Sequence, residues 1–189
     1  MAPHVGSPLT LEHALLGFLL QRPMHAYEMY RVLARAGDLG HVWHLKQSRL
    51  YALPARLEEA GYAVGTSESR GARPPRKVLA PTAAGRFAFD RWLRTPVAHC
   101  RDFRLEFLAK LHFAREAGPE TVARLIAEQC RACQAWLADL RDQAIRADYP
   151  YDWLALEFQC NQATAILAWL DTCVVPLVSP CLAVATDNA

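Results

Sequence analysis

The segment KQSRLYALPARLEEAGY at residues 46–62, followed closely by SRGARPPRKVL at residues 69–79, restricts what this chain can fold into more than any other feature. Leu50, Leu53 and Leu57 recur at helical spacing and mark an inner side. Ser48, Ala52 and Ala55 fall near the opposite side, flanked by Tyr51 and Arg56. Gly61 terminates the helix. The runs 62–66 and 76–80, separated by Ser, Gly and Pro, then predict a two-stranded wing whose basic residues are Arg70, Arg73, Arg76 and Lys77. A helix with a small-residue outer face can approach base edges, and a basic wing can neutralise phosphates, so the order reads as a DNA-groove helix followed by its wing.

The flanking sequence supplies the rest of such a domain. Residues 11–20 are almost continuously apolar, with Thr10 placed as an N-cap and Gly17 positioned to admit a close helix neighbour. Residues 25–36 repeat Ala26, Met29, Tyr30 and Leu33 at helical spacing before Gly37. Pro81 and Thr82 start another helix through Phe87, Ala88 and Trp92 to about Arg94. Beyond a soft boundary near residues 95–100, helices are expected at 101–117, 119–147 and 152–173. The predicted fold is mainly α with a small β wing: a winged helix-turn-helix domain over 8–95, dimerisation helices over 96–175 that can also hold an effector, and an irregular tail over 176–189.

Charge follows the same division. Residues 1–94 carry 13 Lys and Arg against 7 Asp and Glu, whereas residues 95–189 carry 8 against 12. That asymmetry fits a first half that touches phosphate and a second that does not. No secretory signal pattern opens the chain, and its apolar runs are interrupted well short of a membrane span, so a cytoplasmic, membrane-free protein is expected.

The stretches LEHALLGFLLQRPMHAYEMYRVL (11–33), VWHLKQSRLYALPARLEEAGYAV (42–64) and GARPPRKVLAPTAAGRFAFDRWL (71–93) resemble the PadR family of bacterial transcriptional regulators, and the resemblance continues more loosely through RDFRLEFLAKLHFA (101–114). It implies a homodimer that binds a two-fold operator in double-stranded DNA and represses transcription until an effector alters the dimer. It also places Tyr27, within MHAYEM, where the family holds its helix pair against DNA. The groove-helix contacts would be Lys46, Gln47, Ser48, Arg49, Tyr51, Ala52 and Arg56, and the wing contacts Arg70, Arg73, Arg76 and Lys77. Each has a plainer reading: solvated charge for the wing residues, capping for Gln47 and Ser48, packing for Tyr51, and a salt bridge to Glu59 for Arg56. The chain departs from the family in reading YALP where proline usually follows the tyrosine directly. An interior Pro54 costs a helix hydrogen bond and predicts a groove helix that is short, kinked or re-angled.

In the last helix Trp153, Leu154, Leu156, Phe158, Ile166, Leu167, Trp169 and Leu170 occupy more than one face, which fits dimerisation as well as an ordinary core. Trp92, Trp136, Trp153 and Trp169 could line a cavity for an aromatic or lipophilic effector, or simply fill the interior. Cys130 and Cys133 within CRAC lack a second spaced ligand pair, so neither metal nor cofactor is expected. Phosphate-loop, dinucleotide and HExxH motifs are missing, which argues against an enzyme. The competing reading is a winged-helix protein-interaction scaffold without operator recognition.

Overall fold

The structure, a computed structural model, describes residues 10–33, 39, 42, 47–68 and 76–174, without the side chains of residues 47–51, 68 and 173. The elements run α1 (Thr10–Gln21), β1 (Met24–His25), α2 (Ala26–Leu33), α3 (Gln47–Glu59), β2 (Ala63–Glu68), β3 (Arg76–Pro81), α4 (Ala83–Arg94), α5 (Phe103–Ala117), α6 (Pro119–Ile145) and α7 (Pro150–Trp169). A single 3-10 turn, Cys100–Asp102, precedes α5, and α7 runs on into a π-helical turn, Leu170–Val174. The predicted tail lies outside the described residues. The chain divides into two compact units. The first takes in residues 1–94 and also 104–113 of α5, ten residues beyond the span expected for it; the second comprises 95–103 and 114 onward.

In the first unit α1 is apolar nearly all round because it is enclosed: Ala14, Leu15, Leu16, Phe18 and Leu19 are all buried. Gly17 makes that enclosure possible. A Cβ there would stand 2.5 Å from the Phe113 ring and 2.7 Å from Phe89, so only a hydrogen fits. Phe113 in turn meets Phe18 and Phe89 edge-on, with ring centroids 5.1 and 5.3 Å apart. Thr10 is already helical, and its hydroxyl lies 3.4 Å from Glu106 Oε2.

The sheet has three strands in the order β1-β3-β2, all antiparallel, rather than the two predicted. The added strand pairs Met24 with Leu79 and His25 with Val78. Two residues are too few to show an alternating pattern, so sequence could not reveal β1. β2 and β3 pair from Ala63 opposite Pro81 to Glu68 opposite Arg76.

Helix ends are built as their residues dictate. Gly61 closes α3 at φ +70°, with Tyr62 N–H on the Leu57 carbonyl at 2.8 Å and Gly61 N–H on that of Glu58 at 2.9 Å, a Schellman arrangement. Thr82 caps α4 by accepting the Gly85 N–H at 3.0 Å, while its hydroxyl donates to the Gly61 carbonyl at 2.7 Å. At α2, His25 and Glu28 satisfy each other's backbone: Glu28 N–H donates to His25 Nδ1 and His25 N–H to Glu28 Oε2, a capping box with imidazole in place of a hydroxyl.

In the second unit α6 and α7 pack on each other, with Val122, Leu125, Ile126 and Cys133 of α6 and Cys160 and Ala163 of α7 buried. Gln129, wholly buried, clamps the segment that precedes them. Its Oε1 accepts the Val97 N–H at 2.7 Å and its Nε2 donates to the Val97 carbonyl at 3.4 Å. This amide satisfies both polar groups of one peptide residue that burial would otherwise leave without water.

Candidate nucleic-acid interface

The groove helix is defined by what it buries. Leu53, Pro54 and Leu57 face inward, while Ala52, Ala55 and Arg56 are exposed. Of the expected outcomes of an interior proline, a short, kinked or re-angled helix, early termination does not occur: α3 spans 13 residues in all, Gln47–Glu59, with Pro54 inside it. The proline ring lies in the core, where its packing offsets the hydrogen bond it cannot make. Gln47, Ser48, Arg49 and Tyr51 belong to α3, but their side chains are outside the description; Lys46, Arg70 and Arg73 lie outside the described residues.

Arg56 takes a different partner from the one its sequence neighbours suggest. Its Nη1 stands 2.8 Å from Oε1 of Glu12, close enough for an ion pair though without hydrogen-bond alignment. Glu12 is buried in α1, so the pair ties the exposed end of α3 to the interior. The Arg56 side chain nevertheless remains 56% exposed. Glu59, the partner in the alternative reading of Arg56, is exposed on the same helix.

On the wing Arg76 and Lys77 are both exposed at the start of β3. Lys77 Nζ lies 2.6 Å from Glu58 Oε2. Tyr27 is half-exposed at the start of α2, with its ring 6.5 Å from that of His25. Burial pushes the Glu28 carboxyl up, but the His25 N–H and the Arg22 guanidinium 3.3 Å away outweigh it and hold it below the ordinary carboxylate value.

The first unit also holds a buried polar cluster formed by α1, α4 and α5. Lys110, 1% exposed, pairs with Glu106 at 2.7 Å and lies 5.3 Å from the Trp92 ring centre. Trp92 Nε1–H donates to the same Glu106 oxygen at 3.0 Å, and His13 stacks on the indole at 5.4 Å. Burial pushes the Lys110 ammonium below its ordinary pKa, against the opposing pull of Glu106. Trp92 is 7% exposed and packed among these groups.

The other three tryptophans named as effector candidates lie in the second unit and separate by environment. Trp136 lines an open cavity of about 540 Å³ together with His99, Arg101, Asp139, Gln143 and Gln159. Gln143 Nε2 donates to Asp139 at 2.7 Å on its rim. Trp169 packs edge-on against Phe103 at 6.0 Å, and Leu170 is fully buried, so these two serve the unit's own interior. Leu156, Ile166 and Leu167 are half-buried. Trp153, Leu154 and Phe158 are exposed, and Ile145, Tyr149 and Tyr151 extend the same apolar character toward the α6–α7 turn. Those last three were missed because a turn region is expected to be polar.

Burial raises the thiol pKa of Cys100 and Cys130, and that of Cys133 is pushed up to about 11. A raised pKa keeps these sulfurs protonated and poorly nucleophilic near neutral pH. No group of three or more metal-ligating side chains occurs among the described residues. No described helix is long and apolar enough to cross a membrane.

Residues 15–91 match the transcriptional regulator PadR-like family, and residues 103–176 match the family described as virulence activator alpha C-term. A curated relative, the probable transcriptional regulator Rv1176c of Mycobacterium tuberculosis (strain ATCC 25618 / H37Rv), is 27% identical over 96 residues; the match spans 51% of this chain and 50% of that protein. Among solved structures, Bacillus subtilis PadR in complex with operator DNA is 20% identical with a TM-score of 0.42, covering 89% of this chain and 99% of that one. The same protein in complex with p-coumaric acid gives 20% and 0.40, over 90% and 99%. Smu.1604c from Streptococcus mutans UA159 gives 17% and 0.41, over 89% and 98%.

Proposed function

We propose that this chain, whose residues 15–91 match the PadR-like family of transcriptional regulators, is a cytoplasmic, homodimeric, sequence-specific DNA-binding repressor of that family, released by a small-molecule effector. The observation that carries this reading is the outer surface of the first unit. There the small residues Ala52 and Ala55 leave α3 free to approach base edges, with Arg56 beside them and Arg76 at the loop end of the β2–β3 hairpin. Residues 8–95 do the reading, and Lys46, Gln47, Ser48, Arg49, Tyr51, Arg70 and Arg73 extend the contact surface. Tyr27 buttresses α2 from outside. Nothing in this arrangement calls for chemical turnover.

Dimerisation is assigned to α7, through Trp153, Leu154 and Phe158, with Ile145, Tyr149 and Tyr151 beside them. Large apolar side chains in such number are rarely left in water on a finished surface. Two-fold pairing would present two groove helices to a two-fold operator. The effector site is assigned to the cavity at Trp136, whose volume suits a small organic molecule and whose lining includes the rings of Trp136 and His99 among polar side chains. An aromatic ligand there would shift repression only through a difference in its affinity for the two dimer states.

The deciding experiment is salt-controlled binding of the purified protein to labelled DNA from immediately upstream of its own gene, beside a shuffled duplex of equal length. Selective binding at near-physiological salt is the expected result. Equal weak binding to both duplexes would sink recognition of that operator, and tight binding of a protein partner without any DNA preference would favour the scaffold reading.

A further inference from the structure

We infer that Glu58 is a positioning residue of the DNA interface: it clasps the wing to α3 and holds the Lys77 ammonium away from phosphate. The DNA role rests on the function proposed above; the clasp itself is a matter of geometry. One carboxylate makes two attachments. Its Oε1 accepts the Gly65 N–H at 3.1 Å, and its Oε2 pairs with Lys77 Nζ at 2.6 Å. The first reaches β2, the second β3, and both start from the last turn of α3.

The surrounding residues are fitted to this arrangement. β2 is an edge strand of the β1-β3-β2 sheet, so a backbone N–H on its outer side needs a partner from elsewhere, and Glu58 supplies one. Lys77 sits opposite Ser67, and its stem crosses diagonally over Gly65 to reach the carboxylate. A Cβ at residue 65 would lie 2.2 Å from Lys77 Cε and 2.7 Å from Glu58 Oε1, so the crossing requires glycine. A solvent-exposed ion pair alone would be a weak tether. Here the same carboxylate also holds a backbone group, and the glycine leaves room for both.

Two consequences follow for DNA. The angle between wing and groove helix is set by a side chain that touches no nucleic acid. Of the two adjacent wing cations, only Arg76 is left to neutralise phosphate, because the charge of Lys77 is already balanced.

The test uses the full chain with wild type, Glu58→Ala, Glu58→Gln and Lys77→Met, and two readouts. The first is Gly65 amide exchange followed by NMR without DNA. Exchange is expected to accelerate by about tenfold or more in Glu58→Ala and to stay near wild type in Glu58→Gln, whose amide oxygen still accepts. Unchanged exchange in Glu58→Ala would overturn the clasp. The second readout is the slope of log K against log salt on the preferred duplex. Lys77→Met should leave it unchanged, whereas Glu58→Gln, by releasing Lys77, should steepen it by up to about 0.9. A slope flattened by about 0.9 in Lys77→Met would place that lysine on a phosphate and overturn the assignment. If wild type binds no duplex, the DNA role falls together with the proposed function, and the amide readout still decides the clasp.

Discussion

The two units use charge and apolar surface in opposite ways. The first buries charge, with Glu12 and Lys110 in its interior, and turns Arg56, Arg76 and Lys77 outward. The second has no buried charged side chain among its described residues, yet leaves Ile145 83% and Phe158 63% exposed. An interior that can hold an ammonium needs finished packing and a matched carboxylate around it. Trp153, Leu154 and Phe158 are exposed. Under the proposed function the first unit would meet a polyanion, and the second would be covered by another apolar surface.

That contrast can be broken most severely at its buried charge. Glu106→Gln leaves the Lys110 ammonium without its carboxylate, and a loss of about 3 kcal/mol in stability is expected near neutral pH. The sign of the pH dependence follows from Lys110, whose folded pKa lies below its ordinary value. Between the folded and unfolded pKa values the unfolded chain binds more protons, so stability from this group rises with pH. Without Glu106 the folded pKa falls further and the window opens at lower pH. The gap in Tm between wild type and Glu106→Gln should accordingly narrow as pH is raised from neutrality; a gap that widens would contradict the assignment.

The opposite unit is tested at Phe158. Phe158→Asp should weaken self-association by about 2 kcal/mol or more, roughly thirtyfold in Kd, with helix content unchanged. Sedimentation velocity over a concentration series reads this directly. A variant as dimeric as wild type would move the interface off α7 and remove the contrast drawn above.

A smaller effect sharpens the account of the first unit. Thr82→Ala removes the cap of α4 and the hydroxyl bond to Gly61, and a cost of about 1 kcal/mol in chemical denaturation is expected. Smallest is Arg76→Met, which should reduce the salt slope of DNA binding by about 0.9 while leaving Tm within error. If Arg76→Met changed sequence preference instead, the arginine would be reading bases.

The sequence was informative wherever a short-range pattern mattered. Leu53 and Leu57 against Ala52 and Ala55 defined the two sides of α3, Gly61 and Thr82 marked helix ends, and Gly17 announced a close neighbour. It was silent on partners brought from a distance. Arg56 meets distant Glu12, and Trp92 packs beside Lys110 and Glu106.

The reason is one of range. Periodicity, capping and glycine conformation are fixed by residues a few positions apart, so the amino-acid order by itself determined the helices, the wing and the segregation of charge between the halves. Which carboxylate meets which cation depends on how separate elements come together. Only the tertiary structure decided that Glu58 would hold both Gly65 and Lys77, that Lys110 would be buried on Glu106, and that of α7's many apolar residues Leu170 would be enclosed while Phe158 stayed outside.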